Sequence, residues 1–265
     1  MKPLKRFFKR NTHNFLFRNL AGLGRSVNRL YENRNHDIYS NGELTIIRKI
    51  SGFNPSVIID GGANIGNYSI LLAGLNQEST IYALEPVGKT FEQLKSNIQR
   101  YDNVVPVNKG LYSDTCQKEI NLFNAHTHAS LYEIKGVSYQ AKDSQVIDLM
   151  TGDDFVEKNK IEEIGLLKLD LEGAEYDALV GFEKTLKRKK IKLIQFEYGY
   201  INISTRRLLA DFYSLLGSHG YIIGKVFPKI VEFREYKFKH EDFIGPNFVA
   251  VRKEDKDLID CLIRK

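Results

Sequence analysis

Short β-branched strands that alternate with helical segments, a glycine-rich turn closing the first strand, and a near-continuous apolar run late in the chain predict an α/β fold. The architecture expected is a Rossmann-like, doubly wound, mostly parallel sheet with an antiparallel edge. The 265 residues, 42% hydrophobic and 27% charged, suffice for one large core. No stretch reaches the roughly 18–20 uninterrupted apolar residues of a membrane-spanning helix. The positively charged start is followed by no clean apolar run or small-residue cleavage site, so a secretory signal is not expected.

The run VIID (57–60) reads as a buried strand feeding the tight turn GGANIG. Residues 67–75 have helical spacing, TIYALE (80–85) is the next strand, and 89–100 the next helix. NVVPVN (103–108) is a third strand, and 117–123 and 144–148 are extended pieces around a loop. Residues 151–159 begin like a capped helix, with Asp153 or Asp154 near its start. GLLKLDLEG (165–173) is a fourth core strand. The helix expected over 174–186 closes with the basic run 187–190, a suitable charge for its C-terminus. KLIQFE (192–197) is a fifth strand, 205–216 a helix with Gly220 in the turn after it, and 221–224 with 248–252 an antiparallel edge. One catalytic domain over 36–265, preceded by a basic amphipathic extension over 1–35, accounts for this order.

The net charge of +6 is unevenly placed. Residues 1–30 hold no acid, yet carry Lys2, Lys5, Arg6, Lys9, Arg10, Arg18, Arg25 and Arg29 among Phe7, Phe8, Phe15, Leu16, Phe17, Leu20 and Leu23. Such a segment suits an anionic membrane surface, or packs on its own domain or a second subunit, so a homo-oligomer stays open. Gly22 and Gly24 are expected to weaken any single long helix. Cys116 and Cys261 are isolated, which fits two inert thiols in a reducing cytoplasm. The expected location is cytoplasmic, peripheral to the inner membrane face if the extension binds lipid. No nucleic-acid partner is expected.

Open α/β sheets bind ligands beyond the carboxyl ends of their strands. The first such end holds Asp60, Gly61, Gly62, Ala63, Asn64 and Gly66, and the second closes on Glu85. The spacing D-x-G-x-N-x-G is a variant of the first motif of methyltransferases. Glycines let a ligand approach the backbone, a carboxylate before them suits an amino group, and Glu85 suits the two hydroxyls of a ribose. A dinucleotide loop is the competing reading, weakened by Ala63 where a second glycine belongs; a plain turn is the bland one.

The segment 166–197 carries Lys168-Leu169-Asp170-Leu171-Glu172-Gly173-Ala174-Glu175 and Ile194-Gln195-Phe196-Glu197. In order and spacing, residues 57–197 resemble the FkbM family of methyltransferases, with K-x-D-x-E-G-x-E after the fourth strand and I-x-F-E at the fifth. Likeness to sugar-modifying members continues through Tyr198, Gly199, Asn202 and Ile203. The resemblance implies a class I methyltransferase fold, S-adenosylmethionine as cofactor, and O-methylation of a carbohydrate or other hydroxyl-bearing acceptor, in surface-polysaccharide or glycolipid assembly. A natural-product O-methyltransferase and a non-catalytic cofactor-binding module are the alternatives. Asp60, Gly61, Gly62, Ala63, Asn64, Gly66, Glu85 and Asp170 are the expected cofactor-binding residues.

Methyl transfer to a hydroxyl requires alignment of the two reactants and removal of a proton. Asp170, Glu172, Glu197, His126 and His128 are the candidate catalytic residues. Glu172 and Glu175, three apart at a helix start, can share a face or simply favour the positive end of the helix dipole. The two histidines have no further His or Cys at zinc spacing. A divalent metal on the carboxylates, magnesium or calcium, is conceivable but not favoured, and no metal ligand is assigned.

Overall fold

The computed structural model describes residues 2–123, 129–133 and 141–265. The N-terminal helices are α1 (Lys2–Arg10) and α2 (Phe15–Tyr31), followed by α3 (Glu43–Ser51). The first alternating unit is β1 (Val57–Gly61), α4 (Asn67–Leu75), β2 (Thr80–Leu84), α5 (Gly88–Ile98) and β3 (Val104–Val107). Then come β4 (Gly110–Leu111), β5 (Cys116–Leu122), β6 (Ala129–Ser130), β7 (Asp143–Met150) and α6 (Gly152–Lys158). The second half runs β8 (Ile164–Leu169), α7 (Glu175–Gly181), α8 (Glu183–Lys187), β9 (Ile191–Glu197), α9 (Ile201–Thr205) and α10 (Leu209–Ser218). It ends with β10 (Tyr221–Val226), β11 (Val231–Phe233), β12 (Asn247–Arg252) and α11 (Lys256–Ile263).

The main sheet has the order β11-β10-β12-β9-β8-β1-β2-β3. Strands β3, β2, β1, β8 and β9 are mutually parallel, and β12 pairs antiparallel with both β9 and β10. This is the doubly wound sheet with an antiparallel edge that the sequence predicts. Alternate residues of the central strands serve opposite faces. Ile58, Leu166 and Leu193 pack with α3, α4 and α11 through Ile46, Ile47, Ile50, Leu72, Leu258 and Leu262. Ile59, Leu167 and Ile194 pack on the other face with Phe155, Leu179, Phe182, Leu186 and Phe212. Strand order reverses between β1 and β8, so the crevice lies past Gly61 and Leu169.

The extended pieces expected around residue 120 do not join this sheet. They form a second sheet, β4-β7-β5-β6, whose apolar side (Ile120, Leu122, Ile147 and Leu149) buries itself against Val87, just before α5. Three expected elements are shorter than the sequence pattern. The strand over 165–173 stops at Leu169, because Glu172 (φ 50°) and Gly173 (φ 107°) turn the chain. The helix over 174–186 breaks at Phe182, whose fully buried ring leaves no room for a Cβ at Gly152, a distance of 2.3 Å. The helix expected from 205 starts at Leu209, since Arg206 is left-handed (φ 58°) and Leu208 extended, its amide donating to the Asp211 carboxylate at 2.8 Å. Helices α3 and α11, which the sequence pattern does not single out, cover one face of the sheet together with α4.

Contrary to expectation, Gly22 and Gly24 do not interrupt α2, which runs through both and buries none of its residues. Attachment to the body begins at Glu32, whose carboxylate lies 2.8 Å from Lys225 Nζ and 3.7 Å from Arg234. Asn33 Nδ2 then donates to the carbonyls of Asn41 (2.7 Å) and Val226 (3.0 Å). Among the described residues, no helix is long and apolar enough to cross a membrane.

Phe182 is the wedge between α6, α7 and the sheet. Phe182→Ala leaves a cavity that the strands cannot close and is expected to lower unfolding free energy by about 3–5 kcal/mol, read from urea denaturation.

Candidate active site

The loop after β1 is wound in conformations that favour glycine. Gly62 (φ 76°) and Gly66 (φ 93°) are left-handed, and a Cβ on Gly62 would lie 1.9 Å from the Asp170 carbonyl oxygen. The loops after β1 and β8 therefore touch. Gly62 and Ala63 donate their amides to the Leu84 carbonyl at 3.0 and 2.9 Å. Glu85, the next residue, accepts from the amides of Asn64 (3.0 Å) and Val87 (2.9 Å). One carboxylate thus orders both the glycine loop and the turn into α5. Burial pushes Glu85 up to about 7, against the pull of those two amides.

Glu85 opens into a cleft of about 700 Å³. Gly62, Asn64, Asp170 and Glu172 form its polar side; Val87, Leu111, Ile147 and Leu149 form its apolar side. The small sheet roofs it, and Ser130 of β6 donates to the Glu172 carbonyl at 2.7 Å. A carboxylate for a diol, an apolar slot for a flat base, and acidic residues for a cationic end are the donor set that S-adenosylmethionine needs. A cofactor of this kind fits the residues present.

Beneath the loops lies a buried ammonium. Lys168 Nζ is 3.1 Å from Asp170 and 3.5 Å from Asp60, and sits 4.7 Å from the centre of the Tyr68 ring. Tyr68 donates to Gln195 Oε1 at 2.9 Å, and Gln195 Nε2 donates to Glu43 at 2.8 Å. Asn41 Nδ2 donates to the other oxygen of Glu43 at 2.7 Å. Burial alone would lower Lys168, yet Asp170, Asp60 and Glu43 hold it well above its ordinary value. Asp60 is fully buried, accepts from Ser69 Oγ at 2.6 Å, and lines neither cavity described here. Its carboxylate pairs inward with Lys168.

The acidic residues after β8 divide by role. Glu175 is fully buried and folds back on its own loop, accepting from the amides of Leu171 (2.7 Å) and Gly173 (3.1 Å). Burial raises it to about 7. It shapes the loop, and a shared face with Glu172 is not what places it. Glu172 is only partly buried and rises to about 8 through desolvation and the nearby Asp170 and Glu175 carboxylates. Glu197, at the end of β9, is raised well above its usual range by burial and by Asp170 and Glu172.

Asp170, Glu172 and Glu197 line a second cavity of about 1270 Å³ with Glu43, Tyr198 and Phe243, and Arg34 and His36 stand at its edge. Asn64, Asp170 and Glu172 line both cavities. Of the residues expected from sequence, Gly62, Asn64, Glu85, Asp170, Glu172 and Glu197 converge here. Gly61, Ala63 and Gly66 belong to the same glycine-rich segment but line neither cavity. His126 and His128 lie outside the described residues. Glu43, Asn41, Tyr68 and Gln195 were not foreseen. Lys168 carried a signal, a lysine inside an apolar strand. Among the described residues, no group of three or more His, Cys, Asp or Glu is arranged to hold a metal ion.

Glu85, Glu172 and Glu175 each bind a proton more tightly in the folded chain (about 7, 8 and 7) than at the ordinary 4.5. The stability they contribute is fully present below pH 4.5 and is lost as pH rises through about 7 to 8. The ligand-free protein is expected to melt at a higher temperature near about pH 6 than near about pH 9 by scanning fluorimetry, and Glu172→Gln should flatten the upper part of that slope.

The model of the methyltransferase FkbM domain matches residues 60–223. The chain is 24% identical over 176 residues to the hexuronic acid methyltransferase AglP of Haloferax volcanii, covering 64% of this chain and 69% of that protein. It is 26% identical over 155 residues to Methyltransferase 1 of Beauveria bassiana, covering 49% and 59%. Among solved structures, methyltransferase FkbM from Methylobacillus flagellatus is 17% identical with a TM-score of 0.48, over 74% of this chain and 44% of that one. The chain therefore spans less than half the length of that protein. An O-methyltransferase from Bacillus cereus in complex with SAH is 15% identical, with a TM-score of 0.46 over 86% and 88%. Since the family model covers more than half of the residues and holds both the glycine loop and the acidic turn after β8, the chain belongs to the FkbM family of S-adenosylmethionine-dependent methyltransferases.

Proposed function

We propose that this protein is an O-methyltransferase that methylates a sugar hydroxyl, in the assembly of a surface polysaccharide or glycolipid, with residues 36–265 as its methyltransferase domain. The observation that carries this reading is the wall shared by the two cavities, where Asn64, Asp170 and Glu172 face both. A donor in the first cavity and an acceptor in the second would meet at that wall. S-adenosylmethionine, when bound, supplies an electrophilic methyl group on a sulfonium.

In this reading Gly62, Asn64 and Glu85 hold the donor, and the apolar side of the small sheet covers its base. Asp170, held by Lys168 at 3.1 Å, places its carboxylate at the meeting point. Glu172, pushed up to about 8, takes the acceptor proton in its ionised form. Glu43 and Glu197 supply acceptors for further hydroxyls, and the Phe243 ring supplies an apolar face, a combination suited to a sugar. The hexuronic acid specificity in the name of the Haloferax relative supports the same acceptor class.

The reading is tested by incubating the protein with labelled donor and candidate glycans and locating the methyl by mass spectrometry. A methyl on a hydroxyl oxygen is expected; a methyl on a carboxylate oxygen or on nitrogen would overturn the assignment. Glu85→Ala should weaken S-adenosylhomocysteine binding by about 1–3 kcal/mol in calorimetry, through lost hydrogen bonds to a charged group. Unchanged affinity in a folded variant would remove Glu85 from the donor site. With Glu172 as base, kcat/KM should climb with pH to a plateau above about pH 8. Glu172→Gln should abolish that limb while leaving donor affinity intact.

A further inference from the structure

We propose that α1 and α2 form a docking arm for an anionic lipid surface, and that the arm sets the mouth of the second cavity at that surface. In α2, Leu16, Leu20, Leu23, Val27 and Leu30 follow one another at spacings of four and three, which puts them on one stripe. They are between 52% and 81% exposed. Arg18, Arg25 and Arg29 fall on the opposite side of the helix. In α1, Phe7 and Phe8 are likewise exposed among Lys5, Arg6, Lys9 and Arg10. Phe8 meets Phe17 edge to face at 5.8 Å, which joins the two helices through their aromatic residues. Apolar residues on one side and cations on the other describe a helix lying in a membrane interface.

Charge selects the occupant. Eight of the 39 Lys and Arg and none of the 33 Asp and Glu lie before Glu32, so the remainder of the chain is slightly acidic. The excess of positive charge over the whole chain is thus carried by the arm. A second copy is a poorer partner, because it would bring the same excess of positive charge. The stripe also spans only about two heptads, short of the three to four that sustain a coiled coil. Asn19 and Ser26, with Phe17 and Gly24, occupy the flanking positions where pairing charges belong.

The anchorage at Glu32 and Asn33 gives the arm a consequence for the site. Glu32 is paired with Lys225 and Arg234, and Asn33 is hydrogen-bonded to the backbone of β10. Arg34 and His36, the next residues toward the body, edge the second cavity. A surface that binds α2 is therefore held beside that opening. The arm's lipid binding is independent of which acceptor the cavity takes, and its test makes no use of turnover.

Full-length protein is to be sedimented with phosphatidylcholine vesicles with and without phosphatidylglycerol. The bound fraction is expected to rise at least about tenfold with the anionic lipid and to fall steeply in about 0.5 M salt. The chain has no tryptophan, so Leu20→Trp is a clean reporter, and its emission should shift to the blue with anionic vesicles. Leu20→Glu with Leu23→Glu should abolish sedimentation while the thermal shift by S-adenosylhomocysteine is kept, which separates docking from folding. No binding to anionic vesicles at low salt, or an unshifted Leu20→Trp emission, would overturn the proposal. So would a dimer in light scattering that the same double substitution dissolves with no vesicle binding in either protein.

Discussion

The ammonium of Lys168 lies in the interior, 5% exposed, between Asp60 at the end of β1 and Asp170 after β8. Those two strands flank the point at which the sheet reverses direction, and the crevice exists only if their ends stay together. A charge so buried needs compensation, and removing one partner of such a group typically costs about 3–5 kcal/mol. The pairing is therefore a constraint on every group above it. It fixes the Asp170 carboxylate, stands Tyr68 beneath the ammonium, and through Tyr68 and Gln195 reaches Glu43 at the start of α3. The glycine loop then packs directly on the Asp170 backbone, where only a residue without a side chain fits.

Above this platform the carboxylates outnumber the cations. Glu43, Glu85, Glu172, Glu175 and Glu197 all have their ionised forms disfavoured by burial, most of them further by neighbouring acids. Two are spent on structure. Glu175 organises the turn after β8, and Glu85 organises the glycine loop while still facing the cleft. The others keep oxygen atoms toward the second cavity, where they can accept from hydroxyls or hold protons. Such a site favours ligands that bring positive charge or hydrogen-bond donors.

The small sheet adds what the parallel sheet lacks. The sheet of β4, β5, β6 and β7 presents apolar side chains to the first cavity and closes it from above, while Ser130 and Tyr132 tie it to the Glu172 carbonyl and to Asp177. The cover and the acidic turn are thus one connected unit. On the opposite side of the site, residues 32–36 carry the chain from the exposed α2 to the edge of the second cavity.

The alternating elements, the glycine loop and the acidic turn were legible because each rests on local chemistry. Short β-branched and apolar runs mark the buried strands, the tight turn after the first strand calls for Gly62, and carboxylates at strand ends line crevices. The helix breaks at Phe182 and Arg206 were not legible, since neither is a helix breaker by type and only packing against Gly152 or capping by Asp211 enforces them. Gly22 and Gly24 misled in the other direction: their cost of about 1 kcal/mol each is too small to end a helix. By itself the sequence determined the fold class and the family, and it placed Glu85, Asp170, Glu172 and Glu197 at or just past strand ends, because these follow from pattern and spacing along the chain. The tertiary structure alone decided that Asp60 turns inward to Lys168, that Glu175 shapes a loop, that Glu43 and Arg34 line the second cavity, and that Gln195 holds Glu43 from within. Those roles depend on groups brought together from distant positions, and no local pattern encodes such an encounter.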